Sequence, residues 1–339
     1  MTWWLLTAVI VVVGLAHALA SWVYFSRTAS GRRWLWTLGW IAVTVACVDA
    51  EGQYPWASLL TFAALVALWT VWWMAIRASA ALAWVPENRY QATGRIVGNE
   101  LIVRNYRNFD WQDRHRFTER WEERTYDLSR LAALDLLVCT WGSPRIAHIM
   151  LSFSFADQPP LCFSIETRRE IGERWTALAG FMKSYELLMI AGDERDLVKS
   201  RVNIRGETVR LYRVLTTPAM RRTILHRMIA QMNRLAERPR FYNTIFHNCV
   251  IEIAMIIRAA GQPFPLDWRL LVSGYVAEYL YDNGLLDRSR PLADLKVVAD
   301  IRIKSRAADA DPDYSRRIRE GLPDPNPAVA TRSPHMVPG

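Results

Sequence analysis

The chain has 339 residues, is 51% hydrophobic and carries a formal charge of +9. Its four cysteines, Cys47, Cys139, Cys162 and Cys249, have neither CxxC spacing nor a dense framework, which argues against a zinc site and a disulfide scaffold. No nucleic-acid motif or compact Lys/Arg block is present, so the basic balance points to anionic lipid head groups and not to nucleic acid.

Eleven of the 16 tryptophans lie at or before Trp84, and residues 1–85 hold only Arg27, Arg32, Arg33, Asp49, Glu51 and Arg77 as charged side chains. Three apolar runs result, from Thr2 to Phe25, Trp34 to Val48 and Trp56 to Ile76. The first and third reach the ~20 residues that cross ~30 Å of hydrocarbon, and the second is marginal. Trp3, Trp4, Trp22, Trp34, Trp72 and Trp73 sit near the run ends, as interfacial aromatics do. Residues 1–80 are therefore expected to form a transmembrane anchor of about three helices. The first run lacks a basic n-region and is long, so it reads as a retained anchor and not as a cleaved signal peptide. Arg27, Arg32 and Arg33 make the first loop the most basic. By the positive-inside rule that loop is cytoplasmic, and with three spans so is the large C-terminal part.

Next, RIVGNELIVRNYRNFDW alternates about a Gly-Asn turn and predicts a β-hairpin. Arg114 to Arg130 is highly charged and expected to be exposed. In IAHIMLSFSF, Ile149, Leu151, Phe153 and Phe155 share one strand face, with His148, Met150, Ser152 and Ser154 on the other. After the ADQPP turn, LCFSIETR alternates again, placing Cys162, Ser164, Glu166 and Arg168 together. Opposed residues of an antiparallel pair point to the same side. Matching the apolar faces sets His148 either opposite Glu166 or diagonal to it. Further along, Ala177 to Ala191 is expected to be helical, Arg201 to Leu215 to form strands, Pro218 to Glu237 an amphipathic helix and Leu270 to Tyr281 another helix. Residues 306–339 read as a disordered tail.

The stretch FHNCVIEIAMIIRAAG carries the chemistry. Asn248 fits an N-cap, Cys249 the first helical position and Gly261 the stop. Free N–H groups and the aligned dipoles there favour a thiolate and offer donors to an oxyanion. A nucleophilic thiolate needs a base with its own orienting group, and His148 with Glu166 or a nearby polar residue could supply both. The alternative is a cysteine that merely packs, as Cys139 and Cys162 are expected to do. His247 lies too close along the chain to be the base, His226 sits in the amphipathic helix and His115 in the charged run.

The motifs NYRNFDW, TYDLSRL, WGSPRIAHIMLSFSF, SIETRRE, ALAGF, DERD, FYNTIFHNC and PLDWRLLVSGY, in this order, resemble the bacterial family named for the Lnb N-terminal periplasmic domain. The likeness covers roughly residues 95 to 325. It implies an α+β chain: N-terminal transmembrane helices followed over 81–305 by a circularly permuted papain-like (NlpC-type) domain of antiparallel sheet plus helix. It also implies an inner-membrane, multi-pass protein with a periplasmic soluble domain, against the arginine count of the first loop, and the family placement is preferred. By the same likeness Cys249, His148 and Glu166 match the family's catalytic residues and Arg168 belongs to the same motif. With Asn248 at the cap and Ser152 and Ser164 on the His148 strand face, Arg168 is a candidate to hold the substrate or oxyanion or to support the three. The activity implied is acyl transfer or acyl hydrolysis on phospholipid or lipoprotein esters, with membrane lipids and a lipoprotein as partners, no cofactor and no metal. A cysteine peptidase or amidase on cell-wall peptide, and a membrane-anchored binding protein without catalysis, are the alternatives. The chain departs from the family in having Val250 and Ile251 after the Asn-Cys pair.

Overall fold

The computed structural model describes residues 3–26, 30–261, 265 and 267–325. It divides into two compact units, one of Met1–Val85, Thr167–Leu187 and Pro239–Phe246, the other of Pro86–Glu166, Leu188–Arg238 and His247–Gly339. The later segments Thr167–Leu187 and Pro239–Phe246 thus cluster with the N-terminal helices.

The first unit is built on α1 (Trp3–Phe25), α2 (Ser30–Glu51) and α3 (Pro55–Ala75). Among the described residues, Trp4–Phe25 and Pro55–Ala75 are long and apolar enough to cross a membrane. The helix α2 takes in Arg32, Arg33, Asp49 and Glu51 and falls below that standard. Arg27 of the basic loop lies outside the described residues. Ile10, Ala18, Trp40, Cys47 and Phe62 form the helical core. Gly14 lets α1 and α2 approach, because a Cβ there would strike the Thr44 side chain.

The second unit begins with β1 (Thr93–Val97) and β2 (Glu100–Arg107), the expected hairpin, in which Val97 faces Glu100 and Gly98 takes a φ of +60°. A small hairpin of β3 (Asp110–Trp111) and β4 (Phe117–Thr118) follows. Then come β5 (Trp121–Asp127), β6 (Leu131–Trp141), β7 (Ser143–Phe155), β8 (Leu161–Arg168), β9 (Glu186–Gly192) and β10 (Thr208–Val214). The eight-stranded sheet runs β1-β2-β9-β8-β7-β6-β10, with β5 also on β2. Its β6–β7, β7–β8 and β6–β10 pairs are antiparallel, while β2 meets β9 in parallel.

Helices cover both faces. On one side α5 (Pro218–Glu237) and α6 (Cys249–Ala259) pack on β6 and β7, where Leu134, Leu136, Ile149 and Leu151 point. On the other, Leu137, Cys139, Met150 and Cys162 share a core with Val198, Val202, Ile301, Tyr314 and Ile318. The latter come from the region of α4 (Glu194–Leu197) and from the C-terminal stretch that follows α7 (Val276–Asp282) and α8 (Leu292–Ala299) and includes α9 (Arg302–Ala307) and α10 (Tyr314–Arg317).

Three sequence expectations are overturned. Ala177–Ala191 is not a helix: after a short turn at Ala179–Phe181, Glu186–Gly192 forms β9, buried at all seven positions. A continuous apolar run such as ELLMIAG has no period that separates a doubly covered strand from a buried helix. The strands expected from Arg201 begin only at Thr208, because Ser200–Ile204 forms a π-helical turn. The tail is ordered through residue 325, since Tyr314 and Ile318 are fully buried in the core and outweigh the polar composition around them. Residues 326–339 lie outside the described residues.

Candidate functional site

The β7–β8 ladder sets Met150 opposite Ser164 and Leu151 opposite Phe163. Of the two registers allowed by the apolar pattern, this is the one that sets His148 directly across from Glu166. Their closest atoms, Nε2 and Oε1, are 3.2 Å apart. A shorter route runs through Ser164, whose Oγ is 2.7 Å from His148 Nε2 and donates to Glu166 Oε1 at 2.6 Å. Having given its one proton to the carboxylate, the Ser164 hydroxyl accepts from Nε2–H. That fixes the proton on Nε2 and leaves Nδ1 for the thiol.

The thiol arrives from α6. Asn248 caps that helix as expected, its side chain accepting from the N–H groups of Val250 at 3.0 Å and Ile251 at 2.9 Å. Such a cap contributes about 1 kcal/mol. It also corrects the sequence reading, because those two N–H groups are consumed by the cap and cannot hold an oxyanion. The N–H of Cys249 itself remains at the first turn. The Cys249 side chain is buried and hydrogen-bonds the His148 ring and the backbone N–H of Ile149.

Burial by itself would raise the Cys249 thiol pKa, yet the hydrogen bond and charge of His148 and the Ile149 N–H bring it below its ordinary value. At His148 burial disfavours the charged ring, and so does Arg201. Glu166, helped by hydrogen bonds with Cys249 and Glu166, prevails and lifts the imidazole to about 9. Burial also opposes ionisation of Glu166, but His148 and Arg201 hold its carboxyl well below the usual range. The thiol and the imidazole are thus each shifted toward the charged form. The other buried cysteines of this unit behave oppositely: burial pushes Cys139 up to about 12 and Cys162 well above its ordinary value.

Arg201, which sequence reasoning missed, completes the cluster. Its Nη2 donates to Glu166 Oε1 at 2.7 Å and its Nη1 to Glu207 Oε2 at 3.1 Å. It lies in the π-helical turn, 35 positions from Glu166, where no strand or helix period could have flagged it. Two expected members go elsewhere. Ser152 donates to Glu194 Oε1 at 2.6 Å in a separate network. The Arg168 guanidinium lies 4.3 Å from the Trp84 ring centroid, within the first unit. His247 pairs with Glu252 at 2.9 Å, which explains why a histidine so near Cys249 does not serve it. Beside Val250, an apolar cavity of about 40 Å³ is lined by residues including Ile149, Leu151, Ile253 and Ala254. Among the described residues, no group of three or more His, Cys, Asp or Glu side chains gathers as a metal site.

The Lnb N-terminal periplasmic domain family matches residues 117–274, a segment that contains His148, Ser164, Glu166, Arg201 and Cys249. No curated protein and no solved structure matches the chain. The family and the two apolar helices together point to a membrane-anchored protein with a periplasmic domain. That agrees with the family resemblance and not with the arginine count of the first loop.

Proposed function

We propose that this chain, whose residues 117–274 match the Lnb N-terminal periplasmic domain family, is a membrane-anchored cysteine acyltransferase or acyl hydrolase working through a thioester on Cys249. The fold reading that goes with it is a circularly permuted papain-like domain. Supporting it are the chain order of His148, Glu166 and then Cys249, and a thiol at the start of a helix packed on an antiparallel sheet.

The thiolate attacks the ester carbonyl of a phospholipid or lipoprotein, forming a C–S bond while the carbonyl oxygen takes the negative charge. The Cys249 N–H is the first-turn donor left to that oxygen. As the tetrahedral adduct collapses, the C–O bond breaks and the His148 imidazolium gives its proton to the departing alkoxide. An amine or a water then loses a proton to His148 and attacks the thioester. The C–S bond breaks, and thiolate and imidazolium are restored. Ser164 and Glu166, backed by Arg201, hold the ring through both steps. Chemistry of this kind needs no cofactor.

The observation that carries the proposal is the hydrogen-bonded Cys249–His148 pair, in which a buried thiol meets an imidazole held by Ser164 and Glu166. A cysteine that only packs has no need of such a partner, as Cys139 and Cys162 show. Incubation with acyl-labelled phospholipid should give hydroxylamine-labile label on the native chain and none on Cys249→Ser. Label persisting equally on Cys249→Ser sinks the nucleophile. Label from a cell-wall peptide substrate, with none from phospholipid, moves the reaction to the peptidase class.

A further inference from the structure

Thr167–Leu187 and Pro239–Phe246 cluster with the N-terminal helices, and they present large apolar side chains to the exterior. Ile171 is 68% exposed, Phe246 67%, Trp175 48%, Leu178 44%, Ile245 42% and Phe181 38%. Six such residues on two short loops make more than the scattered exposed apolar residues of an ordinary surface.

The loops rest on particular ends of the helices. Ala179, Met182, Tyr185 and Tyr242 pack with Trp22 and Val23, in the last turn of α1. Lys183 Nζ donates to the carbonyl oxygens of Trp73 at 2.7 Å and Ile76 at 3.2 Å, at the C-terminal end of α3, where a cation complements the helix dipole. Thr244 Oγ1 donates to the Ala177 carbonyl at 3.0 Å and ties one loop to the other. Both attachments thus fall on the C-terminal ends of α1 and α3, which among the described residues are long and apolar enough to cross a bilayer. Tryptophan, phenylalanine and lysine gathered at helix ends are the composition of a membrane interface.

We infer that these two loops seat in the bilayer, their exposed apolar side chains lying in the head-group and upper acyl region of the leaflet at the C-terminal ends of α1 and α3. Along the chain, Thr167 follows Glu166 directly and Phe246 precedes Cys249 by three residues. A chain seated in this way meets lipid esters at the membrane surface, with their acyl chains still in the leaflet. That consequence rests on the acyl-transfer reading, whereas the seating rests on the loops alone.

The test uses the full chain with Cys249→Ser, the other three cysteines being buried. Ile171→Cys, Trp175→Cys and Phe246→Cys are nitroxide-labelled one at a time and reconstituted into phospholipid bilayers. Leu68→Cys, on an exposed position of α3, is the lipid reference. Power saturation should show each loop label colliding more often with oxygen than with a water-soluble nickel chelate, as at Leu68. Predominant nickel collisions would put the loops in water and overturn the inference. Weak collisions with both reagents would mean that a second copy or another protein covers them, and would overturn it too. Every variant lacks Cys249, so the outcome does not depend on whether the thioester forms.

Discussion

Two buried polar networks hang from the same face of β7, and only one of them holds an imidazole and a thiol. Around Ser152, Glu194 accepts from Arg319 at 2.7 Å, Arg319 also meets Asp135 at 2.8 Å, and Arg213 holds the other Asp135 oxygen at 2.5 Å. Two guanidinium groups balance two carboxylates. Burial disfavours the Glu194 anion, but Arg319 outweighs it and keeps the carboxyl below its ordinary value. Around His148 the balance of Glu166 and Glu207 against Arg201 is joined by an imidazole and a thiol. The Ser152 network adds buried ion pairs to the apolar contacts of Tyr314 and Ile318 that tie the C-terminal segment to the sheet. Reactivity enters where a thiol and an imidazole are shifted against the direction that burial imposes.

Several substitutions can break or sharpen this contrast. Arg319→Met leaves Asp135 and Glu194 without their shared cation and should cost about 3–5 kcal/mol in chemical unfolding, while the pH profile of Cys249 alkylation stays put. A shifted profile would mean that the networks are one. His148→Ala removes the group that acidifies Cys249, so alkylation at pH 7 should fall roughly tenfold or more. Ser152→Ala orphans one Glu194 contact and should lower stability by about 1–2 kcal/mol without touching that rate. Ser164→Ala leaves His148 and Glu166 the longer direct contact, and a loss of about 1 kcal/mol of orientation predicts a severalfold slower alkylation.

The pH dependence has a defined sign. Thiolate forms below the ordinary thiol value of 9.0, because the Cys249 pKa is lowered. His148 keeps its proton up to about 9. Thioester formation should therefore rise through the lowered thiol pKa and fall above about 9, when the proton needed by the leaving group is gone. A rate that keeps climbing beyond 9 would contradict the imidazolium role.

The site was largely legible where a period exists. Alternation put His148 and Glu166 on one strand face, the matched apolar faces narrowed the register to two, and the Asn-Cys step marked a helix start. Ser152 was misassigned because alternation gives the face but not the depth: it shares the face of His148 yet reaches Glu194. Arg201 was invisible because a π-helical turn has no recurring pattern to extend. Strand β9 was taken for a helix, and the residues after 306 for a disordered tail, because burial by distant segments decided both. The two loops on the helix ends were likewise hidden, since they return to the first unit from far along the chain.

The central claim is that Cys249 is a thiolate held by His148. Alkylation by iodoacetamide across the pH range, read by mass spectrometry on the Cys249 peptide of the full chain in bilayers, tests it without knowledge of the substrate. The native chain should show a midpoint below 9.0, and His148→Ala should move it above that value. A native midpoint at or above 9.0, or one that His148→Ala leaves in place, would contradict the account.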